Sequence, residues 1–345
     1  MASRAVTDLF DAGAIAESWI ADYCAHANGN DVLRARKPGT EGWGIAFEEL
    51  AAVSGGSLSD IHERAQRHAD DIGTGFRIAG EGDERPWPLS PIPLMIPESQ
   101  WRTLAEGVAQ RARLMETVIA DLYGPGKLVA AGRLPATVVT GSPYYLRPMA
   151  GMAPPGGRHL HFVAVDIGRG PDGEWRVLAD HLRAPAGAGY ALENRLAMAR
   201  LVGGLQTRLN IQRHAPFFAA FREGLASVCR RSDPRIALLT PGRFNPSYPE
   251  QAHLARYLGF LLVEGADLAV ADDRLYVRTI AGMKRIDAVW RRIDPRLLDP
   301  LAFDSHSTIG VPGLIDAMAA DEVVVANAPG SGVMEAPAFA ALVRG

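Results

Sequence analysis

The chain has 345 residues, 48% of them hydrophobic and 22% charged, with a net charge of −3 at pH 7. That length suggests two or three domains able to bury a sizeable core, and the charge balance gives no electrostatic basis for a nucleic-acid or anionic-membrane partner. Cys24 and Cys229 are the only cysteines, which excludes a disulfide framework and any CxxC metal motif.

Acids interrupt every apolar stretch of the N-terminal "MASRAVTDLFDAGAIAESWIADY", so it does not read as a secretory signal. No uninterrupted apolar run approaches the ~20 residues that span a bilayer. The expectation is a soluble, cytoplasmic protein with neither membrane nor nucleic acid as partner. Lysine is scarce: Lys37, Lys127 and Lys284 are the only lysines among 36 basic residues.

In chain order, "SLSDIHERAQRHADDIG" predicts a helix opened by Ser57 or Ser59 and stopped by Gly73. "TGFRIAG" alternates like a short strand. Five prolines between Pro86 and Pro97 rule out a helix there and suggest an extended linker. From Glu98, apolar residues at Trp101, Leu104, Val108, Met115, Val118 and Leu122 recur at helical spacing and form one core-facing stripe, ended by Gly124-Pro125-Gly126. "HLHFVAVDIGRGPDGEWRVLADHL" reads as a hairpin about Pro171-Asp172-Gly173. "NRLAMARLVGGLQTRL" and "PFFAAFREGLASVCRR" read as helices, and Ser232-Asp233-Pro234 as a boundary.

Beyond it, "RIALLTPG" is a buried strand and "SYPEQAHLARYLG" a helix with Ser247 and Glu250 at capping-box spacing. "FLLVEGADLAV", "RLYVRT" and "IDAVWRRID" are strands, "GVPGLIDAMAA" is a helix and "EVVVANAPGSG" is a strand. This alternation argues a Rossmann-like α/β unit. Three parts are expected: 1–95 helical and extended, 96–232 with the hairpin, and 233–345 Rossmann-like.

Several familiar motifs fail. "GAGYAL" has Leu192 where a dinucleotide loop needs its third glycine, which disfavours a dinucleotide or nucleotide-sugar enzyme. "GPGKL" has Leu128 where a phosphate loop needs Ser or Thr. His159 and His161 stand two apart on the expected strand and so share a face, but no third ligand completes a metal site.

Asp166 and Asp180 remain. Each ends one strand of the hairpin, at nearly equal spacing from its turn, so the two are expected near each other across the ladder. Facing carboxylates repel unless a cation separates them. Magnesium, which takes oxygen ligands and is held by one or two carboxylates plus phosphates, fits such a pair. Glu193 and Asn194 add two oxygens after the loop "APAGAG", and Arg195 adds a fork for phosphate or carboxylate. Gly187 and Gly189 in that loop let backbone approach a cofactor. A solvated hairpin followed by a capped helix is the alternative from spacing alone.

The segment "GEWRVLADHLRAPAGAGYALENR" resembles the magnesium-carrying region of the circularly permuted type 2 ATP-grasp family. "GTGFRIAGEGDERPWPLSPIPLMI", "IALLTPGRFNPSYPEQAHLARYLGFLLVEGADLAV" and "DPLAFDSHSTIGVPGLIDAMAADEVVVANAPGSGVMEAPAF" continue the resemblance in order, over roughly residues 70 to 340. It implies a mixed α/β fold, circularly permuted, with an ATP-grasp-like magnesium-bearing lobe and a Rossmann-like pre-ATP-grasp lobe. It further implies an ATP-dependent carboxylate–amine ligase that uses ATP and magnesium on a peptide-like or amino-acid substrate.

By motif position the resemblance makes Asp166, Asp180, Glu193 and Asn194 the metal side. It makes Arg195, Arg291 and Arg292 the phosphate or carboxylate side, at most one of the last two serving a site because strand neighbours point to opposite faces. Asn245 and Glu250 become substrate-side candidates at the mouth of the sheet. There are departures: Ala179 and His181 stand where a Glu-x-Asn pair is usual, and Ser90 where an aspartate is usual. In "DPLAFDSHSTIG", Ala302, Asp304 and His306 replace the expected residues around the serine. None of the three lysines sits in the Val/Ile-Lys-Pro strand that holds the nucleotide. The expectation is therefore a ligase polypeptide with an incomplete nucleotide site: a fragment, a chain completed by a second polypeptide, or one that has lost the activity. The alternative is a non-catalytic ATP-grasp-like binding or assembly subunit.

Overall fold

The computed structural model describes residues 11–28, 31, 33–34, 41–72, 75–78 and 84–339. Gly73, expected to stop a helix, and Lys37 lie outside the described residues.

The first elements are α1 (Ala12–His26), α2 (Glu41–Ser54), α3 (Leu58–Ile72) and the strand pair β1 (Gly75–Arg77) and β2 (Glu84–Pro86). The Ser57 hydroxyl accepts from Asp60 N, the orphan donor of the first turn of α3. The long helix α4 (Glu98–Tyr123) follows the prolines. Its apolar stripe is buried only towards its end, at Met115, Ile119 and Leu122. Trp101, expected in the core, is 44% exposed, because the first turns of α4 offer only a narrow half-buried strip.

Two short helices, α5 (Lys127–Ala130) and α6 (Ala136–Thr140), lead to the hairpin β3 (Ala164–Arg169) and β4 (Trp175–His181). Its turn carries Gly173 at φ +83°, a value glycine tolerates without strain. The hairpin starts later than expected: His159 and His161 precede β3, and the backbone N–H groups of His161 and Phe162 donate to Asn327 Oδ1 at 2.7 and 2.9 Å rather than to a strand. The helices α7 (Ala188–Leu201), α8 (Gly203–Arg208) and α9 (Ala215–Ser227) come next.

The remaining elements are β5 (Ile236–Leu239), α10 (Tyr248–Leu258), β6 (Leu261–Val263), β7 (Leu268–Ala271), β8 (Arg274–Thr279), β9 (Gly282–Ile286), β10 (Ala288–Arg291), α11 (Leu314–Ala319) and β11 (Val324–Ala326). Four of them form a parallel sheet in the order β11-β10-β5-β6. Leu238, Trp290 and Ala326 stand in register across it. Every residue of β5, β10 and β11 is buried, as expected for parallel strands covered on both faces. The strands β7, β8 and β9 form a separate antiparallel meander.

The chain divides into two compact units. The first takes residues 1–105, 168–176 and 188–214. Its core contains Leu50, Ile61, Ala65, Leu89, Leu201 and Leu205. The Trp87 ring stacks on Tyr190 at 4.0 Å and its indole N–H donates to Asn194 Oδ1 at 2.7 Å, so the proline-rich segment is pinned to α7. The second unit takes residues 106–167, 177–187 and 215–345. Its large core includes Ala237, Leu239, Val289 and Val325 of the parallel sheet, and Phe221 packs against the Trp290 ring at 4.8 Å. Among the described residues no helix is long and apolar enough to cross a membrane.

Candidate functional site

Running outward from β5, the chain places β6 on one side and β10 then β11 on the other. The strand order therefore reverses between β5 and β10. In open parallel sheets ligands gather beyond the carboxyl ends at such a point. The residues there are Thr240 after β5, Arg291 and Arg292 at the end of β10, and Glu250 and Gln251 in the first turns of α10.

Arg292 is 8% exposed. Its Nη1 donates to Pro185 O, and Nη2 stands 3.9 Å from Glu250 Oε2. Its Nε is buried without a hydrogen-bond partner among the described residues. Glu250 Oε1 accepts from Gly187 N at 2.6 Å. The capping box read from Ser247 and Glu250 therefore does not form. Ser247 is the N-cap, but its side chain makes no cap bond, because Glu250 is buried and turned towards Gly187 and Arg292. Thr240 Oγ1 donates to Gln251 Oε1 at 2.6 Å, and Gln251 Nε2 donates to Asn245 Oδ1 at 3.2 Å. Asn245 thus belongs to a polar chain at the mouth of the sheet.

Arg291 is 1% exposed. It donates from Nε to Asn327 O at 2.8 Å and from Nη1 to Ile293 O at 3.1 Å. Burial pushes its pKa down to about 9, with Asp294 opposing the shift, so it remains a cation at neutral pH and ties β10 to the segment after β11. Its Nη2 is buried without a partner among the described residues.

The stretch from Leu182 to Gly187 is held at three further points. Glu335 Oε1 accepts from Leu182 N and Arg183 N at 2.6 and 2.5 Å. Arg183 reaches Asp294 at 3.4 Å and lies over the Tyr144 ring at 4.6 Å. Asn327 Nδ2 and Ser331 Oγ both donate to Leu182 O. Burial would raise the Asp294 pKa, but the Arg296 fork and Arg183 hold it below the ordinary carboxylate range. Asn327 and Glu335 were not foreseen from sequence; the only signal was the polar residue that closes "VVVAN" and the lone acid after "PGSGVM".

The expected metal-side residues are arranged differently. Arg111 of α4 forks onto Asp180, with Nε to Oδ1 at 2.7 Å and Nη2 to Oδ2 at 2.6 Å. Asp166 Oδ2 is bonded instead to His181 Nε2 at 2.9 Å. Since strand neighbours alternate, Asp166 shares the face of His181 and Asp180 occupies the other. The hairpin does not bring the two carboxylates together.

Glu193 and Asn194 lie on α7 in the first unit, where Glu193 is buried and Asn194 holds Trp87. Arg195, on the same helix, donates to His214 Nε2 at 3.3 Å; burial lowers the pKa of both. Gly187 lies at φ +103° with open space where a Cβ would be, while Gly189 sits buried in the first turn of α7. Among the described residues no group of three or more His, Cys, Asp or Glu is set to hold a metal ion. Asp166 and Asp180, bonded to His181 and Arg111 respectively, are not the facing carboxylate pair that magnesium would bridge.

The site is thus the polar carboxyl edge of a doubly wound α/β unit, roofed by the segment that follows a hairpin. The chain belongs to the family described as circularly permuted ATP-grasp type 2, whose pattern matches residues 93–344. It is 37% identical over 282 residues to an uncharacterized protein of Synechocystis, covering 81% of this chain and 59% of that protein. Two uncharacterized proteins of Mycobacterium tuberculosis are also similar. One is 35% identical over 289 residues, covering 83% of this chain and 52% of that protein; the other is 40% identical over 254 residues, covering 73% and 29%. The chain spans about half the length of the first two of these relatives. ATP-grasp proteins generally use ATP and magnesium, and ATP-grasp ligases act on carboxylate and amine substrates.

Proposed function

We propose that this chain contributes to an ATP-dependent ligase that joins a carboxylate to an amine in peptide-like products. Its working surface is the carboxyl edge of the parallel sheet under Arg183–Gly187. One observation carries the reading: the segment of the family motif between Arg183 and Gly187 is fastened over the strand-order reversal by the buried side chains of Arg292 and Glu250. Such a ligase makes an acyl-phosphate, whose negative oxygens call for fixed cations in a dry setting. Arg292, with Nε unpartnered and buried, supplies one, and Arg291 adds positive potential behind it. The backbone about Gly187 gives the reacting groups close approach. Asn245 and Glu250 position the acceptor side.

A second reading, a non-catalytic binding or assembly subunit, is favoured by the Arg111–Asp180 fork, which already neutralises the acid expected to work. Thermal unfolding with and without magnesium-ATP separates the two. A ligand at a hundredfold its dissociation constant adds about 2.7 kcal/mol of stability, so the ligase reading expects a clear rise in Tm that Arg292→Gln reduces. A flat response to nucleotide supports the second reading. An ATP-induced increment of equal size in wild type, Asp180→Asn and Arg111→Ala removes Asp180 from any part in binding.

A further inference from the structure

A cavity of about 560 Å³ opens in the second unit, and Asp294 and Arg296, described above beside Arg183, form part of its lining. It is within the size range that encloses small organic ligands. Its charged lining comprises Arg147, Asp294, Arg296 and Asp304, and Leu297 and Phe303 are among its apolar walls.

Two of these charges are already used. Asp294 Oδ1 takes Arg296 Nε at 3.1 Å, Asp294 Oδ2 takes Arg296 Nη2 at 3.3 Å, and Arg183 reaches the same Oδ2 at 3.4 Å. This acid and Arg296 neutralise each other and have little left to offer a ligand. The other two differ. Among the described residues the Arg147 guanidinium has neither an ion pair nor a hydrogen bond. Asp304 binds the N–H and Nδ1 of His306 through Oδ1 alone, at 3.0 and 3.2 Å, which leaves Oδ2 open. The cavity therefore presents one uncommitted cation, one uncommitted carboxylate oxygen and an apolar wall.

We infer that this cavity binds a zwitterion of the α-amino-acid or short-peptide class, with its carboxylate on Arg147, its ammonium on Asp304 and an apolar side chain against Leu297 and Phe303. A guanidinium recognises a carboxylate bidentately. A dianionic phosphate fits less well, because Asp304 would repel it and nothing would balance its second charge.

The test is calorimetric titration of the full chain, without nucleotide, so the result stands apart from the ligase reading. The probes are alanyl-leucine, its N-acetyl derivative and its C-terminal amide. Blocking either end should weaken binding roughly tenfold, the loss of one charge-assisted hydrogen bond. Arg147→Gln should bind the free dipeptide and its amide alike. Asp304→Asn should bind the free and acetylated dipeptides alike. Arg147 is exposed and Asp304 is 46% exposed at its side chain, so both variants retain the fold. Equal binding of all three probes to the wild type, no binding at all, or displacement of the dipeptide by inorganic phosphate would overturn the inference.

Discussion

At the scale of single residues, much of the second unit hangs on polar side chains that are buried and fully engaged. Asn327 is 2% exposed and uses both ends of its amide, accepting from His161 N and Phe162 N and donating to Phe162 O and Leu182 O. Unlike an apolar core residue, it satisfies backbone groups that no strand partner reaches. His161 is the reverse case. Its Nε2 is buried without a partner among the described residues. Burial, then Arg158, push its pKa from 6.5 down to about 4 against a smaller pull from Glu116, while His159 adds slightly to the fall. The unfolded chain therefore binds a proton near pH 6.5 that the folded chain refuses until about pH 4. Stability from this group is complete above 6.5 and drains away as pH falls from 6.5 to 4, by on the order of 3 kcal/mol. Glu116 acts in a different window. Burial would raise its pKa, but His159 and the N–H groups of His159 and Leu160 hold it below 4.5, so its contribution is lost only at lower pH. Urea unfolding at pH 7 and pH 5 should show the first effect. His161→Gln should flatten the difference between the two pH values; an unchanged slope would assign the acid sensitivity to other groups.

At the scale of elements, what the sequence made legible was what periodicity and turn chemistry govern. The end of α4 at Gly124, the hairpin about Gly173 and the buried runs of β5, β10 and β11 follow from local pattern alone. What failed depended on partners far along the chain. Ser247 and Glu250 have capping-box spacing, yet Glu250 is drawn to Gly187, 63 positions away. Asp180 and Asp166 have the spacing of facing carboxylates, yet Arg111, 69 positions upstream, claims the first and His181 claims the second. Spacing fixes which residues can meet on one element; it is silent about a long arginine arriving from another. The same long-range bonds explain why the stretch from Leu182 to Gly187, a run without helix or strand, is held in one place. Glu250→Ala tests this directly. It frees the Gly187 N–H and leaves Arg292 buried beside an absent acid, a change that costs about 3 kcal/mol. Amide exchange should accelerate at Gly187 and its neighbours while the amides of β5 stay protected. Unchanged exchange at Gly187 would show that Glu335 and Asn327 suffice to hold the segment.

At the scale of the whole molecule, the two units are interleaved in sequence but separate in their cores. The first unit's core is drawn from 46–89 and 197–205, and the large core of the second from 115–339, with no residue in common. A core substitution acts through the cavity it leaves and the contacts it removes, so its effect should stay within the unit whose core it belongs to. Leu50 on α2 is fully buried in the first core, and Leu50→Ala should cost that unit about 3 kcal/mol. In the second unit, Leu238 on β5 is equally enclosed, and Leu238→Ala should cost a similar amount. Hydrogen exchange read by mass spectrometry distinguishes local from global loss. With Leu50→Ala, peptides from α2, α3 and α8 should lose protection while those from β5, β10 and β11 keep theirs. Leu238→Ala should give the opposite pattern. If either substitution removes protection from both sets together, the units unfold as one cooperative body. In that case the interleaved chain crossings, rather than the separate cores, set the size of the folding unit.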